Sequence, residues 1–229
     1  MGENLRVRTQ FTHELIALTN DLTLMCRIAH DAGERVVDAL VDADLRATYE
    51  VFALDEQLQK MFGACEARGV VLLALQAPVA RDLRHVVTAI QIASELSRIG
   101  TLSSRVADQI YRNHPRHVGP QPIVDVLAEM GRLAAHRTTL AGSAVATGSD
   151  IVDLEPAAKP MAALQRRLRA ELTAADPAHS TDTAIDLAML GDHLRRCVEH
   201  TDHIDRLIRF LDTGVPPTAQ EREEPVRED

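Results

Sequence analysis

Side chains able to bind a metal ion are concentrated near residue 200, where His193, His200 and His203 stand close to Glu199 and Asp202. Residues four apart are neighbours on one face of a helix, so Glu199 and His203 can offer a carboxylate oxygen and an imidazole nitrogen to the same cation. Two ligands are too few for a closed metal site. Glu199 and His203 are therefore a weak candidate for metal binding.

The same segment has an alternative interpretation in which nothing is bound. Its acidic residues and arginines recur four apart, which is the spacing of ion pairs along an exposed helix face. Such pairs are common on protein surfaces, and each contributes less than about 1 kcal/mol to stability. We favour this interpretation, which predicts the pairs Asp192–Arg196, Arg195–Glu199, Asp202–Arg206 and Asp205–Arg209.

A second set of polar residues follows steps of three and four and so lies on one face of a helix: Ser94, Ser97, Thr101, Ser104 and Asp108. This face is either a hydrogen-bonding surface for a partner or an anion, or an ordinary solvated surface. Exposed polar faces are normal for amphipathic helices, so we favour the solvated surface.

No pattern in the chain predicts an enzyme. A phosphate-binding loop needs glycines between a strand and a helix, and Gly142 and Gly148 follow no predicted strand. No serine or cysteine sits in a turn beside a plausible base. The three cysteines, Cys26, Cys65 and Cys197, fall among apolar helical positions and predict reduced thiols in the core.

The composition of the 229 residues excludes further classes of protein. The chain is 45% hydrophobic but only 3% aromatic, with no Trp, so its core must consist of aliphatic side chains, as in helix-on-helix packing. The formal net charge of -9 argues against a nucleic-acid partner, because neutralising phosphates needs an excess of Lys and Arg. Apolar runs are too short to span a bilayer, so we expect no direct membrane insertion.

Apolar residues recur every three or four positions over six segments, and this spacing predicts long helices that each bury one stripe. Prolines and a glycine between Asn113 and Pro122 interrupt the pattern and separate two similar halves. Long helices joined by short turns must lie antiparallel. The sequence therefore predicts an all-α fold of two tandem three-helix bundles, over residues 1–114 and 121–214, and a disordered tail over residues 215–229.

Capping residues and prolines predict where several helices begin. Asp42 or Asp44 can cap the second helix, and Pro78 suits the first turn of the third helix. The fifth helix begins near Pro156 or Pro160, because an interior proline would cost about 3 kcal/mol or more.

Two motifs in these helices resemble the PhoU family. Residues 76–84, Gln-Ala-Pro-Val-Ala-Arg-Asp-Leu-Arg, are similar to the Q-P-x-A-x-D-L-R entry to the third helix of PhoU proteins. Residues 97–101, Ser-Arg-Ile-Gly-Thr, stand where the family has E-R-I-G-D, and residues 194–200 occupy the corresponding place in the second half. The resemblance covers residues 8–214, and residues 213–218 are especially similar to actinobacterial members.

The resemblance implies a cytoplasmic, metal-binding, non-enzymatic adaptor that restrains the phosphate-starvation response. It implies two partners, which are the ATPase subunit of a phosphate ABC transporter and a sensor histidine kinase. It also allows a homodimer.

The chain departs from PhoU proteins at the metal-binding carboxylates. In the family, E-x-x-x-D motifs hold iron or zinc. Here Ser97 and Thr101 replace two carboxylates by neutral hydroxyls, and Arg195 adds a positive charge that cannot be lost. We therefore expect no metal cofactor. The matching positions are Ser97, Arg98 and Thr101 in the first half and Arg195, Arg196 and Glu199 in the second.

Asp55 and Glu56 stand where the family often has an acidic residue facing the third helix, and His85 lies in the first turns of that helix. Without partner carboxylates, Asp55 is more simply a satisfied polar group than a metal ligand. Two alternatives to a phosphate regulator remain. One is a bundle that binds divalent metal, and the other is a scaffolding paralogue with unrelated partners.

Overall fold

The computed structural model describes residues 2–76, 80–148, 158–174 and 181–223, which are almost entirely helical. No strand occurs within these ranges, and the all-α prediction with six long helices is confirmed. None of the described helices combines the length and the hydrophobicity needed to cross a membrane. The helices are α1 (Gly2–Asp42), α2 (Leu45–Gln76), α3 (Ala80–Asn113), α4 (Gln121–Thr147), α5 (Ala158–Ala174), α6 (Thr181–Thr213) and α7 (Pro217–Glu223).

The predicted helix starts are met where the structure describes them. Asp44 caps α2, since its Oδ1 accepts a hydrogen bond of 2.7 Å from the backbone N–H of Arg46. Pro160 lies in the first turn of α5, where a proline costs no helical hydrogen bond. Pro78 and Pro156 lie outside the described residues.

The tail corrects one expectation. Residues 215–229 were expected to be disordered, yet α7 forms within them, beginning at a proline in its first position. Gln220 is buried, and its Nε2 donates hydrogen bonds to the carbonyl oxygens of Val215 (2.7 Å) and Arg206 (3.3 Å). These bonds hold α7 against the end of α6, and residues 224–229 lie outside the described part.

The six long helices are arranged as two groups of three, α1–α3 and α4–α6, which meet where α1 packs on α4 and α3 packs on α6. Both groups contribute to one continuous aliphatic core. The division into two repeats at residues 114 and 121 stays a prediction, because that core does not separate them. Its most deeply buried members include Leu18, Leu40, Leu58, Leu96, Leu127 and Ile204.

Small residues let α1 and α4 approach closely. A Cβ atom at Gly33 would lie 3.0 Å from the Cβ of Ala135 and 3.3 Å from its Cα, which leaves no room for a larger side chain. A Cβ at Gly142 would likewise lie 3.0 Å from the Cβ of Cys26. Because rigid atoms oppose each other here, the distance between the two groups of helices is fixed by these contacts.

Replacing Gly33 by Leu should force α1 away from α4 and lower the free energy of unfolding by roughly 1–3 kcal/mol, the usual cost of overpacking. Gly63→Leu is the matched control, because nothing lies within 4 Å of a Cβ at this exposed position. That control should raise stability slightly, since glycine is a poor helix former. Urea unfolding of both variants tests this, and equal stability of the two would contradict the close α1–α4 contact.

Candidate functional site

In the first half, the family's metal-binding positions are joined by neutral hydrogen bonds between α2 and α3. The hydroxyl of Ser97 donates to Oε1 of Gln59 at 2.7 Å. The Nε2 of Gln59 is in turn 3.0 Å from the carbonyl of Ser97, 3.1 Å from Oγ1 of Thr101 and 2.8 Å from Oδ1 of Asp55. The amide of Gln59 therefore satisfies the polar atoms that a cation would need as ligands.

This arrangement corrects the expectation of a solvated polar face on α3 at two of its residues, Ser97 and Thr101. Ser97 is only 7% exposed, and the other four residues of that face are partly buried. Ser97 and Thr101 turn toward α2, where Gln59 hydrogen-bonds to both, whereas Asp108 farther along the face is half-exposed and pairs with Arg112. Sequence spacing identified the residues that share the face but not the helix that covers it.

In the second half, an arginine occupies the space between two carboxylates. The Arg195 guanidinium lies 2.7 Å from Oδ1 of Asp192 and also pairs with Glu199. The predicted Arg195–Glu199 pair is confirmed, as is Asp205–Arg209 at 2.9 Å. The predicted Asp192–Arg196 pair is wrong, because Asp192 pairs with Arg195 one turn away.

The structure does not bring Glu199 and His203 together as a metal-binding pair. Glu199 is bound by Arg195, whereas Nδ1 of His203 lies 3.2 Å from Oε1 of Glu95 on α3. The other carboxylate oxygen of Glu95 lies 2.5 Å from Nδ1 of His200. A single carboxylate from α3 thus bridges two histidines of α6, and this cluster replaces the expected exposed face.

Glu95 was not among the residues predicted from the sequence, although its spacing carried a signal. Glu95 follows Ile92 by three positions and precedes Ile99 by four, and both isoleucines are buried. An acid in step with an apolar stripe needs a partner in the core. Burial raises the pKa of the Glu95 carboxyl, but the hydrogen bonds and charges of His200 and His203 outweigh burial and lower this pKa to about 2.

A second buried ion pair joins α4 to α6. The guanidinium of Arg137, whose side chain is 9% exposed, lies 2.7 Å from Oδ1 of Asp202. The sequence had assigned Asp202 to Arg206 on its own helix, so the cross-helix partner is a correction. Burial still raises the pKa of Asp202, although the charge and hydrogen bond of Arg137 oppose this effect.

The remaining candidates have structural environments. Glu56 is exposed and pairs with Lys60 at 2.7 Å, while Asp55 accepts the hydrogen bond from Gln59. His85 lines an apolar cavity of about 250 Å³ at one end of the bundle, and burial is the main cause of its lowered pKa.

All three cysteines are free and buried, as the sequence predicted. Burial raises the pKa values of Cys26 and Cys197 to about 12. Both thiols therefore stay protonated and unreactive at neutral pH.

The residues at the family's metal positions do not fit a metal cluster. Neutral hydroxyls in the first half are poor ligands for iron or zinc, and in the second half the guanidinium of Arg195 occupies the carboxylates. Within the described ranges, no group of three or more His, Cys, Asp or Glu side chains is arranged to hold a metal ion.

The chain is similar to known proteins along most of its length. The model of the PhoU domain matches residues 22–110. The chain is 35% identical over 217 residues to the phosphate-specific transport system accessory protein PhoU homolog 1 of Mycobacterium leprae, covering 92% of this chain and 96% of that one. It is 34% identical to PhoU homolog 2 of Mycobacterium tuberculosis, covering 92% of this chain and all of the relative.

Solved structures show the same fold. The crystal structure of PhoU from Pseudomonas aeruginosa superimposes with a TM-score of 0.78 at 23% identity, covering 89% of this chain and 99% of the other. A PhoU structure from Streptococcus pneumoniae gives a TM-score of 0.74 at 18% identity. The long helices and their order are therefore shared far beyond the similarity in sequence.

The Glu95 cluster should make stability depend on pH in the acid range. The pKa of Glu95 in the folded protein, about 2, lies below its ordinary value of 4.5. The contribution of the ionised carboxylate to the free energy of unfolding is therefore full above about pH 4.5 and is lost as the pH falls toward 2. Glu95→Gln should therefore lower the free energy of unfolding by roughly 2 kcal/mol near pH 5, and by much less near pH 3. Urea unfolding at both pH values measures this. Glu56→Gln, which changes an exposed glutamate, is the control. If Glu95→Gln lowers the free energy of unfolding as much near pH 3 as near pH 5, the predicted pH dependence is wrong.

We expect purified protein to hold less than about one equivalent of iron, zinc or manganese, because the ligands that remain are too few and too strongly paired. Chelator should leave the helical circular-dichroism signal and the melting temperature almost unchanged. Elemental analysis after dialysis checks the first expectation. Stoichiometric metal that resists chelation would overturn both and restore a metal site at these positions.

Proposed function

The chain belongs to the PhoU family, and from this premise we propose that it regulates phosphate uptake and the phosphate-starvation response as a non-enzymatic cytoplasmic adaptor. The observation that carries the proposal is the similarity in sequence between this chain and its relatives, which extends over 92% of the chain. The Mycobacterium leprae relative, at 35% identity, is named as an accessory protein of a phosphate-specific transport system. A transport system of this kind is the natural partner of an accessory protein.

In this proposal the chain contacts two proteins, the ATPase subunit of a phosphate ABC transporter and a membrane sensor histidine kinase. The relatives' names support the transporter as a partner, and the family resemblance of the helix motifs is the reason for proposing the kinase. An adaptor needs surfaces on a stable scaffold, and the shared core of two helix groups supports such a scaffold. A homodimer would present those surfaces twice, and the mass in solution by light scattering tests that part.

Protein contact is a better mechanism for this chain than metal-dependent signalling. The hydrogen bonds of Gln59 satisfy Ser97 and Thr101, and the charge of Arg195 satisfies Asp192 and Glu199. Neither place retains a set of free carboxylates. We therefore propose that regulation passes through surfaces that a partner protein can reach.

The lost carboxylates favour a second candidate, a scaffolding paralogue that keeps the bundle but has unrelated partners. The two candidates differ in what binds the chain and in what its loss changes. An affinity-tagged chain in its native host should recover the transporter ATPase and the kinase, and recovery of neither would favour the paralogue.

Deletion of the gene should leave phosphate-starvation genes expressed in high phosphate, because the adaptor would no longer restrain the kinase. Reporter activity in high and low phosphate measures this. Complementation with Gly63→Leu, which changes an open surface position, should restore repression. Unchanged reporter activity in the deletion strain would contradict the regulatory role, whatever the chain binds.

A further inference from the structure

The edge where α3 meets α6 has a register that two contacts define. At one end, Nε2 of Gln109 donates to Oδ2 of Asp186 at 2.9 Å. At the other, Glu95 lies 2.5 Å from His200. Residue numbers rise along α3 as they fall along α6, so the helices run antiparallel. Steps of three and four from these contacts lead to further residues on the same edge. These are Arg98, Leu102 and Arg105 on α3. On α6 they are Met189, His193 and Arg196.

Three arginines on this edge have no carboxylate partner among the residues that the structure describes: Arg98, Arg105 and Arg196. The nearest acids on their own helices are already engaged by other cations. Glu95 is bound by two histidines, and Asp108 pairs with Arg112 at 2.7 Å. On α6, Arg195 takes both Asp192 and Glu199.

His193 lies between these arginines and provides a second, independent observation. It is only 9% exposed, and its buried Nδ1 has no hydrogen-bond partner. The buried Nδ1 is out of reach of solvent, whereas Nε2 is not among the buried atoms, so Nε2 is the nitrogen that a ligand at this edge can contact.

The environment of His193 also shows that arginines from both helices lie near it. Burial is the main cause of its lowered pKa, and the charges of Arg105 on α3 and Arg196 on α6 lower it further, while Asp192 opposes them. His193 is therefore a neutral imidazole at pH 7, close to two positive charges that come from different helices.

Unpaired guanidinium groups on one edge repel each other, and they do so in a chain whose net charge is -9. A phosphoryl group matches them, because its oxygens accept paired N–H bonds from the planar guanidinium. We propose that the α3–α6 edge between Gln109 and Glu95 binds a phosphoryl oxyanion through Arg98, Arg105 and Arg196, with His193 as a neutral hydrogen-bonding group. This inference is independent of the adaptor role.

His193 gives the site a means of preferring phosphate to sulfate. With its proton on the buried Nδ1, the neutral ring leaves Nε2 free to accept a hydrogen bond from a bound anion. Hydrogen phosphate carries a P–OH group that can donate this bond, whereas sulfate at neutral pH has no proton to donate. The preference should weaken in His193→Phe, which keeps the ring volume and removes the acceptor.

Calorimetric titration of the purified full chain tests the proposal. The probes are orthophosphate for the free anion, glycerol 3-phosphate for a phosphate monoester, and sulfate, each at constant ionic strength set with chloride. We expect saturable binding of at least one phosphate probe below about 10 mM, tighter than binding of sulfate. The double variant Arg105→Gln/Arg196→Gln should weaken it at least tenfold, by the loss of about two charge-assisted hydrogen bonds.

Arg169→Gln is the matched control, since Arg169 is exposed on α5 and its loss makes the same charge change per site. It should change affinity less than about twofold. Arginine Nε–H resonances in NMR give a readout that needs no variant, and three of them should shift on phosphate addition. Binding no tighter than sulfate, equal losses in Arg169→Gln, or no shifted arginine signals would each overturn the site.

Discussion

The carboxylate of Glu95, held between two histidines of α6, is the interaction that sets the register of the two helix groups. A buried charge is costly unless it is paired, so the packing of α3 on α6 favours the register that places His200 and His203 beside Glu95. Apolar contacts alone allow neighbouring helices to slide by a turn at modest cost. Together with the Gln109–Asp186 hydrogen bond, this cluster defines which polar residues face each other along the α3–α6 edge.

A second constraint is the competition of cations for carboxylates. Asp202 on α6, for example, has both Arg137 and Arg206 nearby, and geometry decides that it pairs with Arg137. Arg195 takes acids on both sides, and Arg137 reaches Asp202 from α4. Once these acids are engaged, Arg196 is left on the edge with no counter-charge. The same pairing that removes ligands for a cation thus creates the conditions for an anion.

The fold could be read from the sequence because helix burial follows a simple period. Six apolar stripes predicted six long helices, and Asp44 predicted the start of α2 through its capping carboxylate. The short α7 was missed because its composition is polar, and it depends on Gln220 reaching the backbone of α6. That is a tertiary contact with no local pattern.

The candidate site was less accessible to the same reasoning, since it depends on side chains from different helices. Spacing of four predicted Arg195–Glu199 correctly, but it could not weigh Arg195 against Arg196 as the partner of Asp192. It also placed Ser97 on a face without showing that Gln59 covers it. Which side chains pair between two helices depends on the register in which the helices pack, and the sequence does not give that register directly.

An anion at the α3–α6 edge would give the bundle a way to respond to its surroundings that needs no metal ion. The α3–α6 edge joins the two helix groups, and like charges along it oppose their close approach. An anion bound there offsets that repulsion and, by linkage, stabilises the packed arrangement in proportion to its occupancy. The Glu95 cluster holds the register whether or not the anion is present. Binding of the anion would therefore change how closely α3 and α6 pack without changing the fold. Surfaces formed by both helix groups would be the ones that this change affects.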